Sequence, residues 1–146
     1  MTQRTAEDVD VIVVHASATP PGMDIGSREI DRWHRERGWL QIGYHGVIRR
    51  DGSYEGGRPW HKPGAHVEEH NKRSLGFCLV GGVDDEGNAE DNFTPDQFQM
   101  LKSIIESAAR IFGPVDVVGH NYFPSAEVEC PCTDVNKFLV EYQVNY

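Results

Sequence analysis

Two histidines and a cysteine, His15, His120 and Cys130, are the side chains best placed to hold a metal ion together. His15 directly follows residues 9–14, a run that is apolar and β-branched apart from Asp10, the pattern of a strand covered on both faces. His120 follows a second such run, residues 115–118, after a single glycine. Histidines at the C-terminal ends of two core strands can meet at one edge of a sheet, where open α/β sheets tend to place ligand sites. Cys130 stands ten residues beyond His120 in Glu-Cys-Pro-Cys-Thr-Asp, just ahead of a helix start, which together with a cation favours a thiolate. Two imidazoles and one thiolate make a three-ligand set for zinc and leave a fourth position for water, whose pKa the metal lowers toward about 7. Spacing alone leaves other readings open. A strand-end histidine also serves as a hydrogen-bonded structural residue, Cys-Pro-Cys can be two inert thiols, and Cys132 competes with Cys130 as ligand. His34, inside a helix, reads as a packing or surface histidine, and Cys78, inside a strand, as a small buried core residue.

The elements that must position these side chains alternate between strand and helix. Residues 44–49, the turn Asp51-Gly52 and residues 53–55 read as a hairpin, and residues 75–80 as a buried strand closed by Gly81-Gly82. Residues 27–37 form a helix with Ile30 and Trp33 on one face and Gly38 as its stop. Thr94-Pro95-Asp96-Gln97 starts another: Thr94 caps, Pro95 suits the first helical position, and Gln97 returns a bond to the cap. Phe98, Leu101, Ile105, Ala108 and Phe112 then fall on one stripe. A last helix begins near Thr133-Asp134 and buries Val135, Phe138, Leu139 and Tyr142. The fold class is α/β, a single domain over residues 1–146 with a central mixed β-sheet flanked by helices and residues 1–8 as a flexible N-terminal segment.

Composition narrows the function. At 146 residues, 38% hydrophobic and 25% charged, the chain has the make-up of an ordinary globular domain. A formal charge of -9 repels phosphate backbones and anionic headgroups, which argues against direct nucleic-acid binding and against membrane insertion. The opening residues lack the apolar segment of a secretory signal, so the chain is expected to be made in a reducing, cytoplasmic compartment. Three cysteines do not pair off into a disulfide framework. No long coiled-coil stripe is present, and a monomer is expected.

With these residues placed, the chain resembles the zinc-dependent N-acetylmuramoyl-L-alanine amidases, in particular the small phage lysozymes of the T-seven type, whose fold the peptidoglycan recognition proteins share. The motifs that carry the resemblance are Val-His-Ala-Ser-Ala-Thr at 14–19, Arg28-Glu29-Ile30, Trp33-His34, Gly38-Trp39-Leu40, Gly43-Tyr44-His45 and Arg50-Asp51-Gly52. They continue through Gly64-Ala65-His66, Leu79-Val80-Gly81-Gly82, Asn92-Phe93-Thr94-Pro95, Gly119-His120 and Cys130-Pro131. The resemblance implies that His15, His120 and Cys130 bind one zinc ion and that Tyr44 is the catalytic tyrosine. His66 matches a histidine near the substrate groove, a possible substrate contact, while His45 is expected in the core or behind the site. The implied reaction is hydrolysis of the amide between the lactyl group of N-acetylmuramic acid and L-alanine of the stem peptide. Bacterial peptidoglycan is thus the expected partner, a phage RNA polymerase an additional one, and no other cofactor is needed. Synthesis would be in the host cytoplasm and action on the wall would follow release.

One position departs from the pattern. Phage relatives usually carry a lysine two residues before the cysteine ligand, and here Val128 stands there between Glu127 and Glu129. Valine cannot donate to an oxyanion, and loss of one such donor can cost about a hundred- to a thousandfold in rate. Lys62, Lys72 and Arg73 are the candidate replacements, and the segment from His120 to Cys130 is two residues longer than in that pattern. A wall-binding protein with weak turnover is the alternative that this departure supports.

Overall fold

The computed structural model describes residues 8–123 and 129–146. Strand β1 (Val11–Ala16) is buried along its whole length and lies between two parallel neighbours, β4 (Ser74–Leu79) and β5 (Asp116–Gly119). On the other side of β4 runs β2 (Gly46–Ile48), also parallel, followed by the antiparallel edge strand β3 (Tyr54–Gly56). The order β3-β2-β4-β1-β5 is the mixed sheet expected from the sequence. The β2–β3 turn is closed by Gly52 N donating to the Arg49 carbonyl at 2.9 Å, with the Asp51 carboxylate accepting from the Ser53 amide.

Alternation along the strands gives the sheet two faces of different character. Ile12, Val14, Ile48, Leu75, Phe77 and Leu79 point to one face and pack with Leu101, Ile105, Ala108, Phe138 and Leu139 of helices α2 (Pro95–Phe112) and α3 (Val135–Glu141). The opposite face carries Val47, Cys78 and Val80, packed with Ile30 of α1 (Ser27–Glu36). Parity along β1 and β4 also puts His15, Ser74 and Gly76 on this second face.

The helix signals read from the sequence act as anticipated. Thr94 Oγ1 accepts from Gln97 N at 3.1 Å and Thr94 N donates to Gln97 Oε1 at 2.9 Å. Asp134 caps α3 by accepting from Lys137 N at 3.1 Å. Gln97 also does more than cap: fully buried, its Nε2 donates to the carbonyls of Ile48 and Val80, at 3.1 and 2.9 Å.

Two of the boundary differences from the sequence reading bear on the site. The first strand runs two residues further, because its pairing with β4 continues to Ala16 opposite Leu79, so His15 lies inside the strand. The hairpin ladder is shorter than residues 44–49, because Tyr44 and His45 carbonyls accept from Arg58 N and Gly57 N beyond the end of β3. Tyr44 therefore sits just ahead of the ladder. Among the described residues, no helix is long and apolar enough to cross a membrane.

Candidate metal centre and active site

Parallel pairing brings the chemistry together. Val14 lies opposite Gly119 in the β1–β5 register, so the next residues, His15 and His120, are neighbours at the same end of adjacent strands. Their ring centroids are 4.6 Å apart. His120 opens a 3-10 turn, His120–Tyr122, where the chain leaves the sheet. Cys130 is drawn back to that point by its backbone, whose carbonyl accepts from Asn121 N at 2.9 Å, and by its sulfur, which accepts from Ala16 N at 3.1 Å. A Cβ on Gly119 would fall 2.7 Å from Pro131 Cδ, so only glycine lets the cysteine segment approach the strand this closely.

The result is one cluster. Ligand atoms of His15, His120 and Cys130 all lie within 4.8 Å of one another, and Cys130 Sγ is 3.8 Å from His15 Nδ1. Cys132 stands outside this group; its sulfur faces Gly82, where an added Cβ would meet it at 3.5 Å. The Tyr44 ring packs 4.9 Å from that of His15 and lies against the buried cluster that contains Cys78. Cys78 is the direct β4 partner of His15 in the sheet and is fully buried, as its apolar setting predicted.

Electrostatics fit a cation. Burial, then the neighbouring His120 and His45, hold the His15 imidazole well below its usual pKa, and burial also lowers His120, so both rings are neutral near pH 7 with lone pairs to offer. Burial pushes the Cys130 thiol up to about 12, against the pull of the Ala16 amide. A thiolate in that setting requires an adjacent positive charge, which a divalent ion held by all three residues would supply. Burial likewise raises the Tyr44 phenol well above its ordinary range, with Cys78 and Cys130 adding to the effect, so the hydroxyl keeps its proton and can donate.

The remaining histidines separate by depth. His66 is 9% exposed and lies behind His15, its Nδ1 2.8 Å from His15 Nε2. His45 is fully buried beyond it; Nδ1 accepts from Gly76 N at 3.0 Å and Nε2 lies 2.7 Å from the Lys62 carbonyl. His34 is a packing residue: its Nδ1 accepts from Gly43 N at 2.8 Å and its ring meets those of Trp39 and Tyr44 at a tilt, with centroids 4.6 and 5.5 Å away. Asp31 works beside it. Its carboxyl accepts from Ile42 N at 2.8 Å and from Arg35, which keeps it below the usual carboxylate range and ties α1 to the segment entering Tyr44. Neither Asp31 nor the fully buried Ser74 was singled out from sequence, because a helix-face acid and a strand-start serine carry no signal of their tertiary partners.

Of the candidate cations, Arg73 is directed elsewhere. Its guanidinium pairs with Asp10 at 2.8 Å, five residues before His15 along the β1 direction, roughly 16 Å from the histidine at about 3.3 Å per residue. Lys72 is exposed in the 3-10 turn Asn71–Arg73 before β4. Glu127 and Val128 lie outside the described residues, and Glu129 is exposed.

Comparison with known proteins accords with this arrangement. A family model described as N-acetylmuramoyl-L-alanine amidase matches residues 5–133. The chain is 46% identical over 133 residues to an endolysin of Klebsiella phage KP32, covering 90% of this chain and 86% of that protein. It is 44% identical, with the same coverage, to the endolysin of Escherichia phage T7. Among solved structures, the N-acetylmuramoyl-L-alanine amidase LysC from Clostridium intestinale superposes with a TM-score of 0.80 at 25% identity, covering 99% of this chain and 95% of the other. The fold is shared with bumblebee peptidoglycan recognition protein SA at a TM-score of 0.76 and 18% identity, covering 99% of this chain and 90% of that one. The chain belongs to the N-acetylmuramoyl-L-alanine amidase family and has the amidase activity that defines it.

Proposed function

We propose that this amidase is a lytic enzyme of the phage endolysin kind and that it works with one zinc ion held by His15, His120 and Cys130. The bond cut is the amide between the lactyl carbonyl of N-acetylmuramic acid and the nitrogen of L-alanine. The observation that carries the reading is the convergence of three donor atoms within 4.8 Å beside Tyr44, in a chain of this family. Zinc, when bound, supplies a Lewis acid for the amide carbonyl and acidifies water to a pKa near 7 (about eight to nine units below bulk).

The chain's own residues do the rest. His15 and His120 present neutral lone pairs, and Cys130 gives up its proton on coordination. Tyr44, protonated and seated on Cys78, donates its hydroxyl hydrogen toward the oxygen that gains charge as water adds to the carbonyl. The deep setting of His15, at 1% exposure, excludes solvent from behind the metal position and strengthens each of these interactions.

Release of free stem peptide from purified peptidoglycan, with and without a chelator, tests the reading. Chelator-sensitive release is expected, restored by added zinc. Wall binding with no zinc-dependent release would favour the alternative of a recognition protein, which rests on Val128 standing where relatives usually carry lysine. The polymerase-binding role implied by the resemblance is separable from hydrolysis, and co-purification with a phage RNA polymerase tests it.

A further inference from the structure

Resting on the zinc reading above, we infer that His66 is a positioning residue: with Ser74 it fixes the protonation pattern of His15, so that Nδ1 of that ring is the atom offered to the metal. The inference comes from the direction in which a row of hydrogen bonds can run. At its far end is the carbonyl of His70, which can only accept, so the Ser74 hydroxyl 2.8 Å away donates to it. Ser74 Oγ then accepts from the next atom in the row, His66 Nε2 at 3.2 Å, which therefore carries the proton of that ring. His66 Nδ1 is left as an acceptor, and it lies 2.8 Å from His15 Nε2. His15 consequently bears its proton on Nε2 and has its lone pair on Nδ1. That is the nitrogen facing Cys130 Sγ, 3.8 Å away. A backbone carbonyl three groups removed thus selects the tautomer a metal ligand needs.

The row is held in place from all sides. Ser74 is fully buried and His66 is 9% exposed, so bulk water has little access to replace either partner. The His66 backbone amide and that of Val67 both donate to Asn71 Oδ1, at 2.8 and 2.9 Å, which clamps the segment that carries the ring. The ring itself lies over Gly76, where a Cβ would come within 2.5 Å of His66 Nδ1. Any larger residue in the middle of β4 would expel it. His66 therefore acts through His15 and not on the substrate.

Zinc dissociation constants measured by competition with a chromogenic chelator, for wild type, His66→Phe, His66→Asn and Ser74→Ala, test this together with a long-range proton–nitrogen spectrum of metal-free wild type. Removing the acceptor in His66→Phe is expected to weaken zinc binding about 10- to 100-fold. His66→Asn, whose Oδ1 can stand near the position of Nδ1, should recover a large part of that loss, which a purely space-filling role would not predict. The spectrum should show His15 protonated on Nε2. Thermal melting of the metal-free variants identifies any that fail to fold, and in that case Ser74→Ala and the wild-type spectrum decide. Wild-type affinity in folded His66→Phe and Ser74→Ala, or a proton on His15 Nδ1, would overturn the inference. Wild-type protein that takes up no zinc would instead remove the metal reading, while the spectrum would still report the direction of the row.

Discussion

The candidate centre has two halves built by different means. His15 belongs to the middle of the sheet, 1% exposed, with β4 and β5 on either side and its ring backed by His66. His120 and Cys130 stand on a 3-10 turn and on the segment before α3, both half-buried; Asn121 N joins the turn to the Cys130 carbonyl, and Ala16 N joins the Cys130 sulfur to the sheet. The first half exists because the sheet exists. The second is brought to it, and a metal bridging His15 to Cys130 would be the strongest link between them. Stability, metal affinity and turnover should therefore respond differently to changes on the two sides.

The largest effect is expected from the cysteine. Cys130→Ser should lose zinc and lower stem-peptide release by more than about a hundredfold, since Lewis-acid stabilisation is worth several kcal/mol. Cys132→Ser should keep both; zinc retained by the first variant and lost by the second would reassign the ligand. Next, Tyr44→Phe should retain zinc while kcat falls by about a hundred- to a thousandfold. A kcat within threefold of wild type, with metal content unchanged, would remove the hydroxyl from the chemistry.

A smaller effect follows from protonation. The free Cys130 thiol, pushed up to about 12, is protonated at neutral pH, whereas the coordinated one is not, so zinc uptake releases a proton. His15 and His120 are both held below their usual value and contribute none above pH 7. Affinity should thus rise about tenfold per pH unit from roughly 7 to 9, with about one proton released per ion. Calorimetry in buffers of different ionisation enthalpy counts that proton; a flat profile would mean that the thiol is already ionised or is not a ligand. The mildest prediction bears directly on the contrast between halves. In hydrogen exchange, the amides of Val14 and Phe77 should be slow with or without zinc, while those of Asn121 and Cys132 slow markedly only when zinc is added. Equal protection in both states would mean that the cysteine segment is as firmly set as the sheet.

Much of the frame was legible in the sequence, and for local reasons. β-Branched runs marked the strands, Asp51-Gly52 the hairpin, and Thr94-Pro95-Asp96-Gln97 the helix start, because each signal acts within a few residues. The metal cluster was less legible. His15 and His120 are joined by the β1–β5 register, and no spacing rule sets which strands become neighbours. Family resemblance united them where periodicity could not. The resemblance led to the expectation of His66 near the groove, but its place behind His15 depends on Gly76 and Ser74 sharing its face, a parity that requires the β4 register. Ser74, Asp31 and the second task of Gln97 were invisible for a common reason: a polar side chain does not announce which distant backbone group it will satisfy.

That second task has a consequence for how the enzyme comes apart. By donating to both Ile48 and Val80, one glutamine amide in the first turn of α2 closes the ends of two strands that belong to the sheet. The two strands also pair directly, Val80 N donating to the Ile48 carbonyl at 3.0 Å, so opening that turn would loosen the end of their ladder and couple the helix start to the hairpin. Tyr44 enters that hairpin. The setting of the Tyr44 hydroxyl therefore depends in part on a helix on the far side of the sheet, and if Tyr44 acts as proposed, Gln97→Ala should lower turnover more than it lowers zinc affinity.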